Sequence, residues 1–266
     1  MSRNKSVSKT KHFFIPDCQV KPSVNTDHIE SAGNYAAHKQ PNVIIFGGDF
    51  YDMESLSSYD KGTKRAEGRT YQKDIIAGNK ALTRFFKPIK IKNKELAKQK
   101  KAQYKPRLIV TLGNHEERIM RHVNNNRELE STLGYHCFDF VKHGFEVYDF
   151  LVPVLVDGIV YSHFFPRNPS GKITQIRNGA PNARTQLQRE RMSCTAGHAQ
   201  GLDFHTHHGA YKRQYGLIAG SFYSHEEEYL SPQGTNYWRG CVMKHQVRDG
   251  EYDPMFLSLD YLLENY

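Results

Sequence analysis

Asn42-Val43-Ile44-Ile45-Phe46-Gly47-Gly48-Asp49-Phe50-Tyr51-Asp52 is a short β-branched run that ends in two glycines and an acid. An uninterrupted apolar run of this length reads as a strand buried on both faces, as in parallel sheets. The design recurs. His12-Phe13-Phe14-Ile15-Pro16-Asp17-Cys18-Gln19 and Arg107-Leu108-Ile109-Val110-Thr111-Leu112-Gly113-Asn114-His115-Glu116 repeat it, followed by Gly158-Ile159-Val160-Tyr161-Ser162-His163 and Cys194-Thr195-Ala196-Gly197-His198-Ala199-Gln200. In each block a residue able to bind metal stands just past the apolar run. Open α/β sheets gather their ligands outside the carboxyl ends of their strands. The five blocks therefore predict an α/β fold with one site assembled from five loops.

In order and strand context, the blocks resemble the motifs of the calcineurin-like metallophosphoesterases: Asp-x-His, Gly-Asp-x-x-Asp, Gly-Asn-His-Asp/Glu, a lone His, and Gly-His-x-His. The match runs from about residue 12 to residue 200, with Gly48-Asp49-x-x-Asp52 and Gly113-Asn114-His115-Glu116 complete. Gln19 and Gln200 stand where the family pattern has histidines. In this the chain is most similar to phosphoesterases encoded by bacteriophages, which carry Asp-x-Gln and Gly-His-x-Gln. The stretches Gly216 to Phe222 and Asn236 to Gly240 resemble those proteins as well. The resemblance implies a four-layer α/β/β/α sandwich of two mixed sheets.

It also implies a two-metal site, with Mn the first choice and Mg, Fe, Zn, Ni or Co as alternatives. Asp49 would bridge the two divalent ions. Asn114, His163 and His198 would complete one, and Asp17, Gln19 and Gln200 the other. Both departures from the family pattern thus fall on one metal, which exchanges two imidazoles for two amides. An all-oxygen shell is hard in character and suits Mg, Mn or Ca better than Zn. Neutral amides predict weak binding there, or none. His115 would aid the leaving group, with Asp52 holding its imidazole in the working tautomer. The family's Ser/Thr protein phosphatases carry an arginine directly after that acid; Met53 follows here, which argues against their specificity. Arg118, Arg184, Arg189 and Arg191 lie near the motifs, and spacing alone assigns a phosphate to none of them.

Taken singly, these residues have blander readings. Asp17 and Asp49 would serve as turn or capping acids after strands, and Asp52 as a helix N-cap. Gln19 and Gln200 would be solvated spectators, and Cys18 a packed small side chain. In His205-Thr206-His207-His208, alternation puts His205 and His207 on one face and His208 on the other. That segment reads as polar and exposed near the pocket mouth, with contact to a substrate phosphate as the sharper alternative.

The 266 residues are enough for one large core, and we read residues 1 to 266 as a single domain. No stretch approaches the ~20 apolar residues of a membrane span, and Met1 to Lys9 lacks the apolar region of a secretory signal. Cys18, Cys137, Cys194 and Cys241 include no Cys-x-x-Cys pair, which fits a reducing, cytoplasmic compartment, the host's if the chain is phage-encoded. Charge is uneven: Lys61 to Arg107 holds 16 basic and 3 acidic residues, so this insert alone accounts for the chain's net +9. Tyr71 to Lys87 predicts an amphipathic helix and Lys94 to Lys105 a second helical stretch, with Pro88 and Pro106 as breakers. Both ends of the insert are expected beside the metal site.

Elsewhere, Thr26-Asp27 predicts the start of a helix reaching about Lys39, and Gly144 to Val160 predicts two antiparallel strands. Pro166 to Pro181 predicts a loop or lid, and the runs 215–223, 237–246 and 254–259 predict strands that finish a second sheet. The expected function is hydrolysis of a phosphate ester by metal-activated water. A basic arm beside the site favours a nucleic acid or nucleotide phosphodiester as substrate. A phosphomonoesterase, a nucleic-acid-binding protein on a degraded site, and a Lys-rich helix that merely aids solubility stand as alternatives.

Overall fold

The computed structural model describes residues 9–166, 182–227 and 237–266. In chain order the elements are β1 (Thr10–Ile15), α1 (Asp27–Lys39), β2 (Val43–Phe46), α2 (Tyr71–Lys98), β3 (Arg107–Thr111), α3 (Glu117–Asn125), β4 (Glu146–Tyr148), β5 (Val154–Val156) and β6 (Ile159–Tyr161). They continue with α4 (Ala183–Glu190), β7 (Cys194–Ala196), β8 (Leu202–His208), β9 (Arg213–Ala219), β10 (Gly240–Arg248), β11 (Glu251–Ser258) and α5 (Leu259–Asn265). The expected lid from Pro166 to Pro181 lies outside the described residues, apart from Pro166 itself, as does Asn236.

Two mixed sheets result, in the orders β11-β10-β1-β2-β3-β4 and β5-β6-β7-β9-β8. Strands β1 to β4 run parallel, while β10 and β11 join β1 antiparallel. Because side chains alternate across a strand, each central strand is apolar on both faces. Phe13, Ile15, Ile44, Phe46 and Val110 face a core shared with α1, α2 and α5. Phe14, Val43, Ile45 and Ile109 face the other way, against Ile159, Tyr161, Leu217 and Ala219 of the second sheet. Helix α4 covers the outer face of that second sheet. Between the sheets, fully buried Lys244 donates to Thr195 Oγ1 and Tyr161 Oη, and burial pushes its ammonium well below the usual lysine range.

Four sequence expectations need correction. The runs 237–246 and 254–259 do form strands, but β10 and β11 extend the first sheet rather than the second. Within 144–160 only β5 and β6 make an antiparallel pair; β4 instead adds to the first sheet, parallel to β3. Pro88 does not break its helix. It sits buried inside a single 28-residue α2 that ends at Lys98, and 99–106 is not helical. Proline costs a helix one backbone hydrogen bond; here Phe85, Phe86 and Ile89 are buried around it, and packing prevails.

The fourth correction concerns the basic insert. α2 leaves the carboxyl end of β2 and returns to the start of β3, where Arg107 pairs with Val43. Only its first turns lie at the Asp49 end of the sheet. At 1.5 Å per residue the helix carries the chain ~40 Å away, so Lys94, Lys98, Lys100, Lys101 and Lys105 cluster at the opposite pole. No helix among the described residues is long and apolar enough to cross a membrane.

Candidate metal centre

The carboxyl ends of β1, β2, β3, β6 and β7 converge, each followed within three residues by one of the predicted ligands. A bridge between Asp17 and Ser221, with Phe222 N–H donating to the Asp17 carbonyl at 2.7 Å, ties the first sheet to the end of β9. The loops are tightly bent. Gln19, Asp49, Met53, His198 and Gln200 all have φ between 43° and 63°. Non-glycine residues in this left-handed region are strained, and such strain clusters at sites whose surroundings over-determine it.

Asp49, His163 and His198 place one ligand atom each within 4.8 Å of one another. His163 donates from Nδ1 to the Gly47 carbonyl at 2.7 Å, which turns Nε2 inward, 3.1 Å from Asn114 Oδ1 and 3.4 Å from Asp49 Oδ2. An imidazole fixed through its second nitrogen in this way is the usual posture of a metal-binding histidine. Burial disfavours charge on His163, yet Asp49 outweighs it and raises the imidazole to about 10. Burial and the neighbouring His163 lower His198 to about 4. Burial works against ionised Asp49 too, but His115 and His163 hold its carboxyl far below the ordinary range. The pocket thus draws one positive charge to the spot that Asp49, His163 and Asn114 share.

Asp17 is fully buried and accepts from the His198 N–H, 2.9 Å from Oδ1 and 3.1 Å from Oδ2; its Oδ1 lies 3.9 Å from His163 Nδ1. Burial, opposed by His163 and reinforced by Asp49, pushes its carboxyl up to about 7. Two glycines make room for these acids. A Cβ on Gly113 would lie 2.0 Å from Asp49 Oδ1, and one on Gly197 2.3 Å from Asp17 Oδ1. Gln19 is fully buried, and neither its Oε1 nor its Nε2 has a hydrogen-bond partner. Buried amides are rarely left so, and the orphaned carbonyl oxygen suits a hard cation beside Asp17. Gln200 differs: Tyr223 Oη donates to its Oε1 at 2.8 Å. One of the two expected amide ligands is therefore engaged by a hydroxyl, and the donor set fits one well-made cation position and a weaker second.

Next to this cluster, His115 pairs through Nδ1 with Asp52 Oδ1 at 2.8 Å, and its Nε2 lies 3.7 Å from Asp49 Oδ2. Burial opposes charge on His115, but Asp49 and Asp52 outweigh it and raise the imidazole above its ordinary value. Burial of Asp52 is in turn outweighed by His115, leaving its carboxyl at about 2. Asp52 is a partner of His115 rather than a helix cap.

Three residues left without a role by the sequence enter here. Glu116 is fully buried and accepts from the N–H groups of Asp49, Tyr51 and Gly113 at 2.8–2.9 Å, binding two of the blocks into one frame. Arg118 donates to the Asp52 carbonyl at 2.7 Å and lies 3.1 Å from His115 Nε2. Its i+3 spacing from His115 was the available signal, meaningful once the turn is helical. Lys21 reaches Asp52 at 3.6 Å and Glu227 at 2.8 Å, across a sequence distance that no motif spans. Met53 is buried and points no charge at the site. No family model and no curated protein matches this chain.

Proposed function

We propose that this protein is a metal-dependent phosphoesterase whose substrate is a phosphodiester of a nucleic acid or nucleotide. The observation that carries the reading is the adjacency of two different histidine environments. His163 and His198 meet Asp49 as ligands would, while His115 stands beside them with its own carboxylate, Asp52. A structural metal site has no use for the second pair; a phosphoryl-transfer site does. Bound divalent cations would supply a water of lowered pKa and neutralise charge on the phosphoryl oxygens, Mn fitting the mixed nitrogen and oxygen donors best. Asp49, Asn114, His163 and His198 would hold the tighter ion, and Asp17, Gln19 and Gln200 the weaker. His115 gives a proton to the departing oxygen, and Asp52 keeps its Nδ1 face occupied. Arg118 and Lys21 provide positive charge on the substrate side, the task left open by Met53.

Favouring a polyanion is the charge of the 61–107 segment, though its Lys-rich end can reach only phosphates far from the reacting one. The test is hydrolysis of bis-nitrophenyl phosphate and of a labelled oligonucleotide by metal-stripped protein titrated with Mn, Mg, Zn and Ni. Turnover restored by Mn and lost in His115→Ala is the expected result. Silence with every metal, alongside retained oligonucleotide binding, would leave a binding protein. Fast hydrolysis of nitrophenyl phosphate, unaffected by added DNA, would point to a phosphomonoesterase.

A further inference from the structure

The outer face of the second sheet holds another group of cations. β8 is the sheet's edge strand, paired antiparallel with β9. His205 and His207 are two residues apart and share a face. It is the face under α4, because Asp203, two residues earlier, accepts from the Ala183 N–H at the helix start at 2.7 Å. Gln214, on β9 opposite His207, donates to the Arg191 carbonyl at 2.8 Å and ties down the helix end. Arg184, Gln188 and Arg191 then line a cleft of about 350 Å³ together with His205, His207 and Gln214, over a floor made by Leu187.

No carboxylate lines this cleft among the described residues. Arg69, Arg84, Arg107, Arg118 and Arg213 each meet an acid; among the described residues, no such partner is found for Arg184 or Arg191. Two guanidiniums, two imidazoles and two amides around an acid-free hollow make a receptor for anionic oxygen, and arginine forks favour phosphate. Just beyond, the turn joining β8 to β9 presents Tyr211 fully to solvent, four residues past His207. An exposed aromatic ring beside a cationic groove is the pairing used to hold single strands, one part taking the backbone and the other a base.

We propose that the α4–β8 cleft is a phosphate subsite for single-stranded nucleic acid, with Tyr211 as a stacking platform for a neighbouring base. The ligand class rests on the polynucleotide reading above; the cleft itself uses none of the metal-centre residues. It engages a phosphate remote from the one hydrolysed and so adds affinity for long substrates.

Binding of labelled oligo(dT) to metal-stripped protein tests this, followed by anisotropy across a salt series. Arg184→Ala/Arg191→Ala should weaken binding tenfold or more and make the salt slope shallower by about 1.4, at ~0.7 per phosphate contact. Tyr211→Ala should weaken it by about fivefold or more with the slope unchanged. The Arg184→Lys/Arg191→Lys protein keeps the charges and should retain most of the affinity. Bis-nitrophenyl phosphate turnover should be the same in all of them, since so small a substrate cannot reach the cleft. Undiminished oligo(dT) binding by the double Ala protein overturns the proposal. So does a cleft that holds inorganic phosphate, lost with the two arginines, while oligo(dT) affinity stays put. Absence of hydrolysis by the wild-type protein would defeat the phosphoesterase reading and leave this binding measurement unaffected.

Discussion

Arg118 Nη2 lies 3.1 Å from His115 Nε2, while Asp52 Oδ1 lies 2.8 Å from Nδ1 of the same ring. A guanidinium has no acceptor, so Nε2 must accept and Nδ1 must carry the proton. His115 is therefore neutral in this arrangement although Asp49 and Asp52 raise its basicity. Withdrawal of Arg118 towards an incoming phosphate would release Nε2 to take up the proton that it later donates. We expect Arg118→Ala to lower kcat/KM for bis-nitrophenyl phosphate about 10- to 100-fold, the worth of one charge-assisted hydrogen bond at ~1.5–3 kcal/mol. Arg118→Lys should recover only part, lacking the planar fork. An unchanged kcat/KM in the Ala variant would remove Arg118 from the site's chemistry.

His115 and the ligands should separate cleanly in a metal assay. His115→Ala is expected to cut kcat by about 10²- to 10⁴-fold, the usual worth of a general acid, with Mn affinity intact by calorimetry. His163→Ala should abolish both. Equal loss of Mn binding in the two variants would make His115 a ligand and refute its assigned role.

Gln19 offers a prediction whose sign is unusual. Its two amide atoms are buried without partners, a cost of roughly 1–3 kcal/mol for each unsatisfied group. Gln19→Leu should therefore raise the melting temperature of the metal-stripped protein while removing the weaker of two Mn equivalents. A lower melting temperature without metal would mean that the amide is satisfied in solution.

Away from the site, His12 provides a pH test. It is buried against Tyr161 Oη and Asp157, and burial lowers it to about 4, Asp157 only partly compensating. Below its unfolded value of ~6.5 the unfolded chain binds the proton and the folded one does not, so stability falls as pH drops from 6.5 towards 4. The slope of denaturation midpoint against pH in this window should flatten in His12→Gln. An identical slope would assign the acid sensitivity elsewhere.

The strands that carry the site were legible because each couples an apolar run to an abrupt polar end. Asp17, Asp49, Asn114, His163 and His198 could be picked out for that reason, and the structure brings them together. The neighbours of β10 and β11 could not be read, since an alternating strand does not encode which of two sheets completes it. Pro88 misled because helix propensity is a local term, overruled by the burial of Phe85, Phe86 and Ile89. The engagement of Gln200 by Tyr223 joins loops 23 residues apart, and no spacing rule connects them. Lys21 and Glu227 likewise meet only in three dimensions.

The reversed course of α2 makes the molecule sensitive to the size of what it holds. A phosphate seated near Asp49 and the lysines at the far end of α2 are separated by about the length of that helix, ~40 Å. At roughly 3.4 Å per phosphate along one strand, on the order of a dozen nucleotides must pass before a chain can feel both. Shorter ligands meet only the local cations, so salt should weaken them little, whereas longer ones should gain grip with every added nucleotide until the helix is spanned. The insert then works as a gauge of ligand length rather than as part of the reacting pocket.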